Sequence, residues 1–286
     1  MKVCIITSTR ADFGLLKNLI IGLKRNEKFK TKIIASGSHL SKNFGYTYRE
    51  IEKSGIKISA RIKCKFVNDE AVGISKVMSS CIIQTSKILK KLSSDLIIIL
   101  GDRYEILASV IAAHLSRIPV AHLHGGEATE GLTDEAIRHS ITKMSHIHFV
   151  AAKEYKKKVI QLGENPKSVF NVGGLGVDNI KRLKLLSKKK LEKDLNFKFA
   201  KKNILINFHP ETLNKFSTKK QFNEVLKALK KFNKINLVFT MPNADLDSLI
   251  IFQMIKNFVK KNTNARYFTS MGQLRFLSCL KYVDGM

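Results

Sequence analysis

Unbroken apolar runs that stop abruptly at charged residues recur along this chain. Leu96–Leu100 carries no polar position at all, the pattern of a parallel strand covered by helices on both faces. It ends in Gly101-Asp102-Arg103. Pro119–Leu123 repeats the arrangement and ends in His124-Gly125-Gly126-Glu127. The chain opens the same way. Lys2–Ile6 reads as a strand, Thr7–Gly14 as a loop, and Leu15, Leu16, Leu19, Ile20 and Leu23 fall at helical spacing. In open parallel sheets ligands sit at the carboxyl ends of the strands, so charged residues placed right after two such strands predict a site there.

The remaining pattern extends this alternation. Strands are predicted at Thr31–Ser36, Ile147–Val150 and Val169–Val172, and helices from about Ala71 to Leu92 and Lys153 to Leu162. Ile58–Asp69 reads as a polar, mobile segment, and Gly173–Asp178 as a sharp turn. The Lys-rich stretch Lys184–Lys193 shifts composition and marks a boundary zone. Alternation then restarts with strands at Asn203–Phe208, Ile235–Thr240 and Ala265–Phe268, separated by helices at about Lys219–Phe232 and Asp245–Lys261 and followed by Gln273–Leu280. Two α/β arrays follow, 1–180 and 181–286, each a Rossmann-like lobe with a parallel sheet. The second has only three strands before Asp284-Gly285-Met286, fewer than such a sheet normally uses, so it is expected to be incomplete.

Charge changes this picture little. With 51 Lys and Arg against 23 Asp and Glu, the formal charge is +28, which raises nucleic-acid binding as a possibility. The excess is mostly Lys, Trp is absent, and no basic stretch interleaves aromatics. A solvated Lys-rich surface accounts for it better, and nucleic acid is not expected as a partner. Cys4, Cys64, Cys81 and Cys279 form no close pair, and Cys4 and Cys81 are read as buried thiols of a reducing cytoplasm. No signal peptide or membrane span is visible, so a cytoplasmic protein without membrane association is expected. The fingerprint G-x-G-x-x-G is missing, which argues against a tightly bound NAD, and no cofactor is expected.

The candidate chemistry sits at the strand ends. Asp102 follows a buried strand, where a carboxylate is either paired or functional, and Arg103 can pair with it or with Glu105. His122 and His124 alternate along one strand, His146 and His148 along the next. H-x-H pairs without further ligand spacing are weak evidence for a metal; core histidines plus one or two substrate contacts explain them better. Thr133 can cap a helix carrying Asp134, Glu135, Arg138 and His139, with Asp134–Arg138 and Glu135–His139 as i,i+4 pairs. His209-Pro210-Glu211 ends the first strand of the second lobe, where a His can shuttle a proton or stabilise a leaving phosphate.

Four segments carry a specific resemblance: Gly-Asp-Arg-Tyr-Glu, His-Leu-His-Gly-Gly-Glu, Asp-Glu-Ala-Ile-Arg-His and Phe-His-Pro-Glu-Thr. Together with Thr-Arg-Ala-Asp-Phe-Gly near the start, they resemble the UDP-N-acetylglucosamine 2-epimerase family, and within it the hydrolysing branch that serves sialic and legionaminic acid synthesis. The resemblance runs the whole length in order. It implies the GT-B fold, two Rossmann-like lobes with a nucleotide-sugar between them, and a homo-oligomer when full length. It also implies a chain that continues beyond residue 286.

The implied reaction removes the nucleotide from C1 as a base takes the C2 proton, giving a glycal. Water then adds at C1 while an acid reprotonates C2 from the other side, so more than one carboxylate must surround one ring. Carried over by position, Asp102 and Asp134 match the family's catalytic acids, His209 its histidine, and Arg10, Asp12 and Arg103 residues near the substrate; Arg138 and His139 are added to these as candidate substrate-binding residues. The family's remaining catalytic Glu aligns with His124, leaving either His124 or Glu127 to take its part. A GT-B glycosyltransferase and an inactive remnant are the competing readings.

Overall fold

The computed structural model describes residues 1–63, 70–210, 217–242 and 247–286. These form two compact units, Met1–Arg182 and Leu183–Met286.

The first unit runs β1 (Lys2–Thr7), α1 (Arg10–Arg25), β2 (Lys30–Ala35), α2 (Tyr48–Lys53), β3 (Ala60–Arg61), α3 (Ala71–Leu92), β4 (Leu96–Leu100), α4 (Tyr104–Leu115), β5 (Val120–Leu123), α5 (Asp134–Lys143), β6 (Ile147–Val150), α6 (Lys153–Gln161), β7 (Val169–Asn171) and α7 (Leu175–Arg182). All seven strands lie parallel in the order β3-β2-β1-β4-β5-β6-β7. The apolar runs of β1 and β4 are explained by their two covers. Cys4, Ile6, Ile97 and Ile99 pack with Val77 and Leu89 of α3 and Ile106 and Val110 of α4. Val3, Ile5, Ile98 and Leu100 pack the opposite way, with Phe13, Leu16 and Ile20 of α1. Each such side chain contributes about 1.5–3 kcal/mol on burial, so the strand tips beneath the loops are firmly held.

The second unit contains α8 (Lys188–Leu195), β8 (Asn203–Asn207), α9 (Thr218–Leu229), β9 (Asn236–Thr240), α10 (Ser248–Lys261), β10 (Ala265–Phe268) and α11 (Gly272–Leu280). Its parallel sheet has the order β10-β9-β8. On the open side of β8, Ile204 forms a parallel bridge with Gly285, whose carbonyl accepts from the Leu205 N–H. Leu191, Leu195, Leu205, Val238 and Cys279 make up its core.

Several local expectations change. The polar stretch 58–69 is not loop throughout: Ala60–Arg61 adds an edge strand to β2, and Ile62 is fully buried. Residues 64–69 of that stretch lie outside the described ones. Gly173 turns the chain at φ +83°, but the turn is shorter than read, since Leu175 already opens α7. The Lys-rich boundary zone is largely helical, because Leu191 and Leu195 recur at i,i+4 and Ser187 caps the Lys190 N–H. Cys4 and Cys279 are buried free thiols. Cys81 is buried too, but disulfide-bonded rather than a thiol. Among the described residues no helix is long and apolar enough to cross a membrane.

Candidate active site

Strand order in the first sheet reverses direction between β1 and β4, the point where open α/β sheets leave a crevice at the carboxyl ends. The loop after β1 and the turn after β4 flank it. In the first, Asp12 closes a capping box with Thr9. Its carboxylate accepts from the Thr7 hydroxyl (2.5 Å), the Ser8 N–H (2.8 Å) and hydroxyl (3.1 Å), and the Thr9 N–H (3.0 Å). That carboxylate is thus engaged in shaping the loop. His39, fully buried, stands between Thr7 (Nε2 to Oγ1, 3.0 Å) and Thr47 (Nδ1 to Oγ1, 2.8 Å). Since the Thr7 hydroxyl donates to Asp12, His39 must donate from Nε2 and accept at Nδ1. Arg10 opens α1; burial pushes its pKa down, opposed by the Glu50 carboxylate.

After β4, Gly101 takes φ +79°, and its carbonyl accepts from Nε2–H of His122 on β5 at 2.9 Å. His122 is wholly buried, with the Thr142 hydroxyl at 3.2 Å from Nδ1. Burial pushes its pKa down to about 3, so it is a neutral pin holding the base of the Asp102 turn. Arg103 turns to Glu105, with Nε 3.2 Å from Oε2. Asp102 instead pairs with Arg138, which reaches across from α5 and is itself buried.

The loop after β5 completes the cluster. His124 does not continue the strand beside His122: its φ of +63° turns it out of the sheet. Its Nδ1 lies 2.7 Å from Glu127 Oε1, and its Nε2 accepts from the Leu175 N–H at 3.4 Å. This pattern requires a proton on Nδ1, donated to the carboxylate. Gly126 sits at φ +80°, where an added Cβ would lie 2.5 Å from the Tyr155 carbonyl oxygen, so only glycine fits. Arg138 also donates to the Glu127 carbonyl (2.6 Å) and the Thr129 hydroxyl (3.0 Å). Glu135 accepts from the Thr129 N–H at 2.6 Å, and that bond is the main cause holding its carboxyl below the usual range.

The structure therefore joins Asp102, Arg138, Glu127 and His124 through one hydrogen-bonded chain. Thr133 occupies the N-cap position of α5 but makes no side-chain cap, and Asp134 opens the helix one turn before Arg138. His139 Nε2 lies 3.4 Å from Glu135 Oε1, the i,i+4 ion pair expected from the sequence. Arg10, Asp12 and Arg103 stand on the neighbouring loops of the same sheet edge. His209 belongs to the second unit, exposed, two residues after β8. Among the described residues, no group of three or more His, Cys, Asp or Glu side chains is placed to hold a metal ion. Sequence reasoning passed over Thr129 and treated Glu135 as a helix partner; their link spans a loop and leaves no periodic signal.

A seven-stranded parallel sheet, with carboxylates and arginines gathered beside its switch point and a second parallel α/β unit following, defines a two-lobed Rossmann-type enzyme scaffold. The UDP-N-acetylglucosamine 2-epimerase family model matches residues 22–286, and the chain belongs to that family. A GDP/UDP-N,N'-diacetylbacillosamine 2-epimerase (hydrolyzing) of Campylobacter jejuni is 42% identical over 286 residues, all of this chain and 74% of that protein. A UDP-N,N'-diacetylbacillosamine 2-epimerase (hydrolyzing) of Legionella pneumophila is 32% identical over 285 residues, 75% of its length. The crystal structure of UDP-GlcNAc 2-epimerase from Neisseria meningitidis bound to UDP-GlcNAc superposes with a TM-score of 0.81 at 19% identity, covering 99% of this chain and 76% of that one. The fold is that of these GT-B-like proteins.

Proposed function

We propose that this protein is a hydrolysing nucleotide-sugar 2-epimerase, converting a UDP- or GDP-linked 2-acetamido sugar and water into the free 2-epimer and the nucleoside diphosphate. The observation that carries this reading is the full-chain match at 42% identity to a hydrolysing 2-epimerase. The acid cluster of the first unit supplies the chemistry the reaction asks for. A base removes the C2 proton as the C1–O bond breaks and the diphosphate leaves. An acid then returns a proton to C2 from the other face, while a base takes a proton from the water that bonds to C1.

Asp102 and Asp134 are our candidates for the two proton transfers at C2. Asp102 is partly exposed and held in place by Arg138. Glu127 and His124 form the third acid–base element; with Nδ1–H directed at Glu127, the pair can accept a proton from water through the carboxylate. Arg10 and Arg103 are assigned to the anionic substrate, Asp12 to shaping the loop that carries Arg10, and His139 to the environment of Arg138 and Glu135. His209 is assigned to the departing diphosphate. On this reading the enzyme works in the cytoplasm as a homo-oligomer, in a pathway to sialic or legionaminic acid-type sugars, without a bound cofactor.

Incubating the protein with UDP-N-acetylglucosamine, and separately with UDP- and GDP-linked N,N'-diacetylbacillosamine, tests this. With no acceptor present, free 2-epimer and nucleoside diphosphate should appear in equal amounts from one donor. Turnover only on adding an acceptor would make it a glycosyltransferase.

A further inference from the structure

We propose that Glu135 and Thr129 are positioning residues for this reaction, forming a latch between the first turn of α5 and the β5–α5 loop that places Glu127. The inference rests on the epimerase reading above for its kinetic consequence, though not for its structural one.

The sequence spacing predicts that Glu135 pairs with His139 as an ordinary i,i+4 helix partner. That ion pair is present, His139 Nε2 standing 3.4 Å from Oε1, and the other oxygen, Oε2, accepts from the Thr129 N–H at 2.6 Å. Glu135 and Arg138 are three residues apart, on one face of α5. Together they grip the loop at three points, the Thr129 N–H, the Thr129 hydroxyl and the Glu127 carbonyl. The same Arg138 holds Asp102. One helix face thus fixes two carboxylates relative to each other, Asp102 directly and Glu127 through its own backbone. The loop needs such anchoring. His124, Gly126 and Gly131 all adopt positive φ, so it is built from successive tight turns rather than from regular backbone hydrogen bonding. Glu135 thus holds the loop with one carboxylate oxygen and His139 with the other.

The test compares Thr129→Val, Thr129→Ser, Glu135→Ala and Glu135→Gln in steady-state kinetics, with hydrogen exchange of the 124–133 segment measured in parallel. Losing a charge-assisted hydrogen bond that orients a reacting group is expected to lower kcat about tenfold or more. Glu135→Ala and Thr129→Val should show that loss with KM changed less than about twofold. Thr129→Ser restores the hydroxyl and Glu135→Gln restores a carbonyl acceptor, so both should return to within about threefold of the parent. The Thr129 amide should exchange at least about tenfold faster in Glu135→Ala, as removing its acceptor opens the loop. If the parent protein turns over no nucleotide sugar, the functional reading falls, and exchange alone decides the latch. Unaltered loop exchange in Glu135→Ala overturns it. So does a Glu135→Gln variant as inactive as Glu135→Ala with the loop still protected, which would make Glu135 a proton-transfer residue.

Discussion

His122 should make this protein sensitive to mild acid, by an amount that can be worked out. In the folded chain it is wholly buried, donates to the Gly101 carbonyl, and titrates near 3 rather than at its ordinary 6.5. The folded form therefore stays neutral while the unfolded chain takes up a proton below about pH 6.5. Stability due to this group is complete above that pH and is lost as pH falls toward 3, at about 1.4 kcal/mol per pH unit. Between pH 7 and pH 5 the loss from His122 alone is about 2 kcal/mol. His39 and His148 are shifted in the same direction by burial and steepen the fall. His122→Gln removes the titration and retains a donor for Gly101. At pH 7 it should be less stable by about 1–3 kcal/mol, since its packing and the bond to Thr142 are disturbed. That deficit should shrink by about 2 kcal/mol at pH 5. Urea unfolding followed by circular dichroism at both pH values measures this, with the imidazole carbon resonance of His122 followed alongside. An unchanged deficit at pH 5, or a His122 resonance titrating near 6.5, refutes the reasoning.

Three further outcomes follow from the site. Asp102→Asn should fold as the parent does, by circular dichroism and melting temperature, and lose most turnover; full activity would remove Asp102 from the acid–base roles. Gly126→Ala forces a Cβ against the Tyr155 carbonyl at positive φ and should cost about 2–4 kcal/mol in urea unfolding, whereas a loss below about 0.5 kcal/mol would mean the loop relaxes freely. His209→Asn should lower kcat/KM about tenfold or more with no change in melting temperature, and parent-like kinetics would dissociate this histidine from the leaving diphosphate.

Where hydrophobic pattern alone determines structure, the sequence was readable. The runs at β1 and β4, and at β5 apart from the buried His122, are apolar because helices cover both sheet faces, and their abrupt polar ends place Arg10, Asp102 and His124 on one sheet edge. Short elements escaped. β3 has two residues, too few for a period, and α8 hides two core leucines among lysines. The site was legible as a set of residues but not as a set of contacts. Nothing in the spacing distinguishes Arg138 bonded to Asp102, 36 residues away, from Arg138 bonded within its own helix. The alternation of His122 and His124 suggested a shared face, and the left-handed backbone at His124 breaks that alternation. One is consequently a buried pin and the other a partner of Glu127. Such divergence depends on tertiary packing, which one sequence does not display.

Solvent deuterium at the epimerised carbon tests the central claim most directly. With the nucleotide-sugar donor in D2O, elimination and hydration should give free 2-epimer carrying one deuterium at C2 in every product molecule, alongside the nucleoside diphosphate. Free sugar released with its C2 hydrogen intact and its configuration unchanged would show simple hydrolysis at C1 and contradict the account.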